Sequence, residues 1–154
     1  MITLNNIHQA IEDAIHAKYE TVAVYHDELP KNFTRPSFFV DKLPMTFEAM
    51  DRTATAVKRE VKFCITAYVA VDNFHNSASS ALNDALDALI GIFVRGYLPV
   101  GDRNPSVRLD AADVLVAEKA VLQIAVTWWE DIDDLSGVTP PEEELLRQVV
   151  LNQK

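Results

Sequence analysis

The groups in this sequence able to do chemistry are four histidines, one cysteine and a run of acids near the C-terminus. A shared metal is the first possibility for the histidines, but His8, His16, His26 and His75 are scattered. His8 and His16 fall on one helical stretch about 12 Å apart at the helical rise, too far to hold one ion between them. All four read as surface histidines. Cys64 has no histidine at a spacing that would activate its thiol, and it reads as a plain half-buried side chain. A lone cysteine also excludes an internal disulfide and a multi-cysteine zinc site, as expected in a reducing compartment.

The acids invite a calcium loop, because Asp131, Asp133 and Glu142 take the first, third and twelfth places of an EF-hand frame. Leu135 then stands where an oxygen ligand belongs and Ser136 where the turn needs glycine, with Pro140 and Pro141 inside the frame. A solvated acidic loop is the better reading. With 4 glycines there is little room for a phosphate-cradling loop, and no serine or cysteine sits beside a base. No catalytic residue, metal ligand or cofactor is assigned, and the chain reads as a non-enzyme.

The elements behind these residues follow from periodicity. Ile7, Ala10, Ile11, Ala14 and Ile15 recur at three and four behind Thr3, giving an amphipathic helix over 4–18. "TVAVYH" (21–26) is a short strand, and 27–36 a loop with two prolines. In "SFFVDKLPMTFEAM" Phe38 and Val40 share one frame, and Leu43, Met45 and Phe47 the other. The switch near Asp41 and Lys42 implies a bulge, and Pro44 an edge position. Residues 57–71 alternate cleanly, with Val57, Val61, Phe63, Ile65 and Ala67 inward. Leu82, Leu86, Leu89 and Phe93 mark a second helix, capped by Asn76 or Ser77 and stopped at Gly96. Strands at 107–117 and 121–130 form a hairpin with Val116 opposite Leu122, Val114 opposite Ile124 and Ala112 opposite Val126. "EEELLRQVVLN" closes the chain as a short helix. The expected fold is α+β in a single domain over 1–154: an antiparallel sheet of four to five strands, two main helices on one face, and the short C-terminal helix.

Composition narrows the function. The net charge of -9 opposes wrapping nucleic acid. No apolar run has transmembrane length, and the N-terminus lacks a secretory pattern, so the chain reads as unexported and away from membranes. What remains is surface. Trp128 and Trp129 are neighbours on a strand, so their indoles point to opposite faces. If Trp128 joins the core frame of Leu122, Ile124 and Val126, Trp129 lies outward among small and polar residues, as an interface anchor does. The alternative is that Leu145, Leu146 and Val149 of the last helix fold back over it. From Glu130 to Glu144 seven acids occur with no basic residue.

"FTRPSFFV" (33–40), "REVKFCITAYV", the Ala- and Leu-rich helix and "ADVLVAEKAVLQIAVTWW" together resemble the tail terminator family of long-tailed bacteriophages. The resemblance implies a virion subunit at the head-proximal end of the tail, assembled in the host cytoplasm. Such subunits form a homo-oligomeric ring, commonly six-membered, that caps the tail tube, ends its polymerisation and docks the head or neck connector. It also implies an electronegative lumen that DNA traverses without specific binding, and no catalytic residues, because such proteins have none. A closed ring needs two different complementary patches per subunit. Trp129 is the candidate for one, and the edge strand with Phe38, Phe39, Met45 and Phe47 for the other. Asp131, Asp133 and Asp134 are candidates for the lumen. Competing readings are a neck or head-completion protein of the same particle, and a small acidic domain that binds a ligand or metal.

Overall fold

The computed structural model describes residues 1–49, 55–74 and 76–141. Helix α1 (Leu4–His16) starts where a capping box allows it: Thr3 Oγ1 accepts from the Asn6 N–H, and Asn6 Oδ1 accepts from the Thr3 N–H. Its apolar stripe buries Ile7, Ile11 and Ile15 completely, each contributing about 2 kcal/mol of transfer free energy. Strand β1 (Ala23–His26) follows, then β2 (Ser37–Ala49), β3 (Ala56–Tyr68), helix α2 (Ser79–Phe93), β4 (Ser106–Leu115), β5 (Lys119–Asp131) and a short helix α3 (Ile132–Ser136). The five strands make one sheet in the order β1-β2-β3-β5-β4.

The sheet is mixed, which corrects the expectation of an antiparallel one. β1 runs parallel to β2, Ala23 beside Ser37 through His26 beside Val40, while every other pair is antiparallel. The reason is the connection: residues 27–36 are a wide loop that returns the chain to start β2 in the direction of β1, where a tight turn would have reversed it. β2 is therefore covered over its first four residues, and only its distal part is an edge. The bulge lies between Lys42 and Met45, so Leu43 and Pro44 together face one residue of β3.

Phe38 and Val40 of β2, the Val61, Phe63, Ile65 and Ala67 row of β3, and Leu122, Ile124, Val126 and Trp128 of β5 join the apolar residues of α1 and α2 in one core cluster. The β4–β5 pairing differs from expectation by four residues: Val114 lies beside Ala120 and Ala112 beside Leu122. The turn is at 116–118, closed by the Glu118 N–H donating to Leu115 O, with Ala117 at a left-handed φ of 65°. A second bulge between Leu109 and Ala111 switches the frame again, turning Val107 and Leu109 to the core side. Helix α2 is capped by Ala78, with no side-chain bond. Asn76 and Ser77 are engaged elsewhere: Asn76 O accepts from the Asp72 N–H, and the Ser77 N–H donates to Ala117 O. The expected C-terminal helix, and with it Leu145, Leu146 and Val149, lies outside the described residues.

Candidate interaction surfaces

Trp128 and Trp129 diverge as strand geometry requires. Trp128 is 3% exposed, and Trp129 is 42% exposed. Across the sheet Trp129 stands beside Lys58, and Lys58 beside Glu48, with Lys58 Nζ 3.8 Å from the Glu48 carboxylate. One residue along, the opposite row runs Phe47, Arg59, Trp128. Phe47 shares the core frame but extends beyond the packed part of the sheet and is 65% exposed. Two exposed aromatic rings thus mark one end of the sheet, on opposite faces.

The other edge-strand candidates divide. Phe38 is 6% exposed and packs at 5.4 Å on Tyr19, so its ring is committed to the core of its own subunit. Met45 is half-buried against that core, with its Sδ 3.9 Å from the Arg59 guanidinium. Phe39 is half-buried on the outward row, beside Thr66. Asp131, Asp133 and Asp134 are exposed where β5 passes into α3, and the Asp133 N–H donates to Asp131 Oδ1. Glu130 behaves differently from the acids that follow it. It is 2% exposed and accepts from the Ile2 N–H at 2.7 Å and from Arg103 at 3.1 Å. Glu142, Glu143 and Glu144 lie outside the described residues.

Pattern reading passed over a buried charged corner. Arg59 occupies the apolar frame of β3, stacks 4.9 Å over the Trp128 ring and donates to Ile2 O. Burial pushes its guanidinium below its ordinary value, opposed by the charge of Glu130. The signal was there: Arg59 alternates with Val57 and Val61, and Glu130 with Trp128 and Val126, so each charge falls in an inward row. The outward row holds a compensated network instead. Arg108 pairs with Asp110 at 2.7 Å and Glu60 at 3.4 Å, and Lys62 lies 3.7 Å from Asp110.

The histidines also correct the expectation. His8 and His26 meet with their Nδ1 atoms 3.0 Å apart, and His16 Nε2 lies 3.0 Å from Val22 O. The end of β1 meets α1 through His26, which touches His8 and Glu12, and sequence spacing does not reveal this; His75 falls outside the described residues. Among the described residues no group of three or more His, Cys, Asp or Glu side chains is placed to hold a metal ion. Cys64 is half-buried, and burial pushes its thiol up, away from the nucleophilic thiolate. An open cleft of about 330 Å³ beside Phe38, Tyr68 and Ala85 is mainly apolar, with Ser37 and Asp84 as its polar side chains apart from the tyrosine hydroxyls. No described helix is long and apolar enough to cross a membrane.

Compared with known proteins, the chain matches over residues 6–128 the profile of a family described as phage tail terminator protein. That span covers α1 from Asn6 onward, all of α2 and nearly the whole sheet, and it ends at Trp128. No curated protein matches the chain.

Proposed function

The chain belongs to the phage tail terminator family, a structural and not known as enzymatic virion family, and on that premise we propose that it acts as a self-assembling ring. The ring caps the tail tube, stops its growth and offers the outer surface on which the head or neck connector docks. The observation that carries the ring is the pair of exposed aromatics, Trp129 and Phe47, on opposite faces at one end of the sheet. Head-to-tail closure requires two unlike patches on one subunit. Trp129 supplies the anchor of the first. Phe47, with the distal part of β2 that no described strand pairs on that side, supplies the second, an edge open to strand addition. Both main helices are placed over one face of the sheet, supported by the single core they share with the inward rows. That leaves the outward row, with its compensated charges, free for contacts.

Asp131, Asp133 and Asp134 are assigned to the lumen, where exposed carboxylates repel the DNA backbone and let it pass. Ring formation is tested by native mass spectrometry of the purified chain over a concentration series, with and without tail tube. A single closed oligomer is expected, commonly six-membered in this family, together with arrest of tube growth. A chain that stays monomeric on the tube and leaves its growth unchanged refutes the reading. A neck or head-completion protein would form rings and yet fail to arrest the tube.

A further inference from the structure

We propose that Glu12, His26, His8 and Asp27 form a chain of two hydrogen bonds and one ion-pair contact that holds one proton more than two neutral imidazoles carry, and so latches Asp27 onto the edge of β2. His26 Nε2 lies 3.3 Å from Glu12 Oε1, the two Nδ1 atoms are 3.0 Å apart, and His8 Nε2 lies 3.4 Å from Asp27 Oδ2. The rings meet edge to face at 81°, with centroids 5.0 Å apart.

Proton counting drives the inference. An ionised carboxylate only accepts, so the Nε2 of His26 facing Glu12 carries a proton; the ion pair with Asp27 needs a proton on the Nε2 of His8; and a third must lie between the two Nδ1 atoms. Two neutral imidazoles bring two protons between them, so one ring in the chain is an imidazolium. Burial of His8 pushes its pKa down; Asp27 opposes this, while His26 and Lys42 add to it. The Phe63 ring also packs on His8, roughly perpendicular to it with centroids 5.2 Å apart. His26, in contact with Glu12, is the more exposed of the two rings.

Asp27 makes this chain more than local packing. Its backbone has a left-handed φ of 59°, its N–H donates to Val40 O at 2.8 Å, and its Oδ1 accepts from the Lys42 N–H at 3.0 Å. It therefore occupies the β2 edge at the point where β1 ends, and the edge open to a neighbouring strand starts beyond Lys42. The consequence for assembly rests on the edge reading above, whereas the proton chain does not.

The test uses the full-length chain labelled with ¹⁵N, following imidazole resonances and Lys42 amide exchange between about pH 5 and 8. Both Nε2 atoms should be protonated, with one proton between the Nδ1 atoms and coupled titration of the pair. The protection of the Lys42 amide, the intrinsic exchange rate at each pH divided by the observed one, should fall at least tenfold when a second proton enters at low pH. Asp27→Asn keeps an acceptor for Lys42 and tolerates the left-handed backbone; it should leave the pair neutral at pH 7 and the Lys42 protection flat with pH. His8→Leu should flatten the protection in the same way. Two rings that are neutral at pH 7 and titrate independently would overturn the proposal. So would one equivalent of Zn²⁺ at micromolar concentration shifting both rings, which would make the pair a metal site. Oligomeric state is read separately, so a failed latch leaves the ring reading intact.

Discussion

Replacing Trp128 by alanine empties a site in the core and strips Arg59 of the ring beneath it. The expected loss is about 3–5 kcal/mol in denaturant unfolding. Trp129→Ala, one residue on, should change unfolding by less than about 1 kcal/mol yet shift the oligomer towards monomer at low micromolar concentration in native mass spectrometry. An unchanged oligomer would remove Trp129 from the interface. Glu130→Ala leaves the Ile2 N–H and the Arg103 guanidinium without their carboxylate. Because Arg103 is partly in water, a loss of about 3 kcal/mol, at the low end for a broken buried pair, is expected. His8 sets the acid response. Its pKa is lowered in the folded chain, chiefly by burial, from an ordinary 6.5. Its contribution is thus complete above that value and falls away as pH drops below it, because the unfolded chain then binds the proton more readily. Thermal melts of the parent should lose stability from about pH 6.5 downward, and His8→Leu should lessen that slope.

At the scale of elements, α1, β3 and α2 were legible because each has a long run of one period bounded by a stop: Thr3 before Leu4, Gly96 after Phe93. The β2 bulge was legible too, since Phe38 and Met45 point inward from different frames. The parallel placement of β1 was not, because four residues of strand carry no mark of their neighbour's direction. The β4 bulge at Asp110 was hidden for another reason. Ala111 and Ala112 are small enough to fit either frame, so the alternation has no visible break there. Of the surface candidates, the outward position of Trp129 followed from strand alternation, Phe47 was named only as part of the edge strand and lies exposed in the inward row, and Glu130 was miscounted with the acidic loop because its partner Arg103 is distant in sequence. The hairpin turn yields a test of its own. Ala117 holds a left-handed φ that costs an alanine about 1 kcal/mol. Ala117→Gly should therefore raise stability by about 0.5–1 kcal/mol, read from the urea midpoint at constant slope.

For the whole molecule, a net charge of -9 means that copies brought into a ring repel one another at long range, and short apolar contacts must overcome this. Assembly should tighten with added salt up to physiological strength, as measured by sedimentation, because screening weakens the repulsion more than it weakens apolar contact. Neutralising the loop as Asp131→Asn, Asp133→Asn, Asp134→Asn keeps an acceptor for the Asp133 N–H. It should leave rings intact but let them retain DNA at low salt in a filter assay. Retention no greater than that of the parent ring would move these residues out of the lumen. The two indoles, the full tryptophan complement of the chain, finally give the protein a built-in optical gauge. Light emitted by the sealed indole reports whether a subunit is folded. The wavelength of the other should shift to the blue when a neighbour arrives and water leaves, so folding and joining can be timed separately in one unlabelled sample.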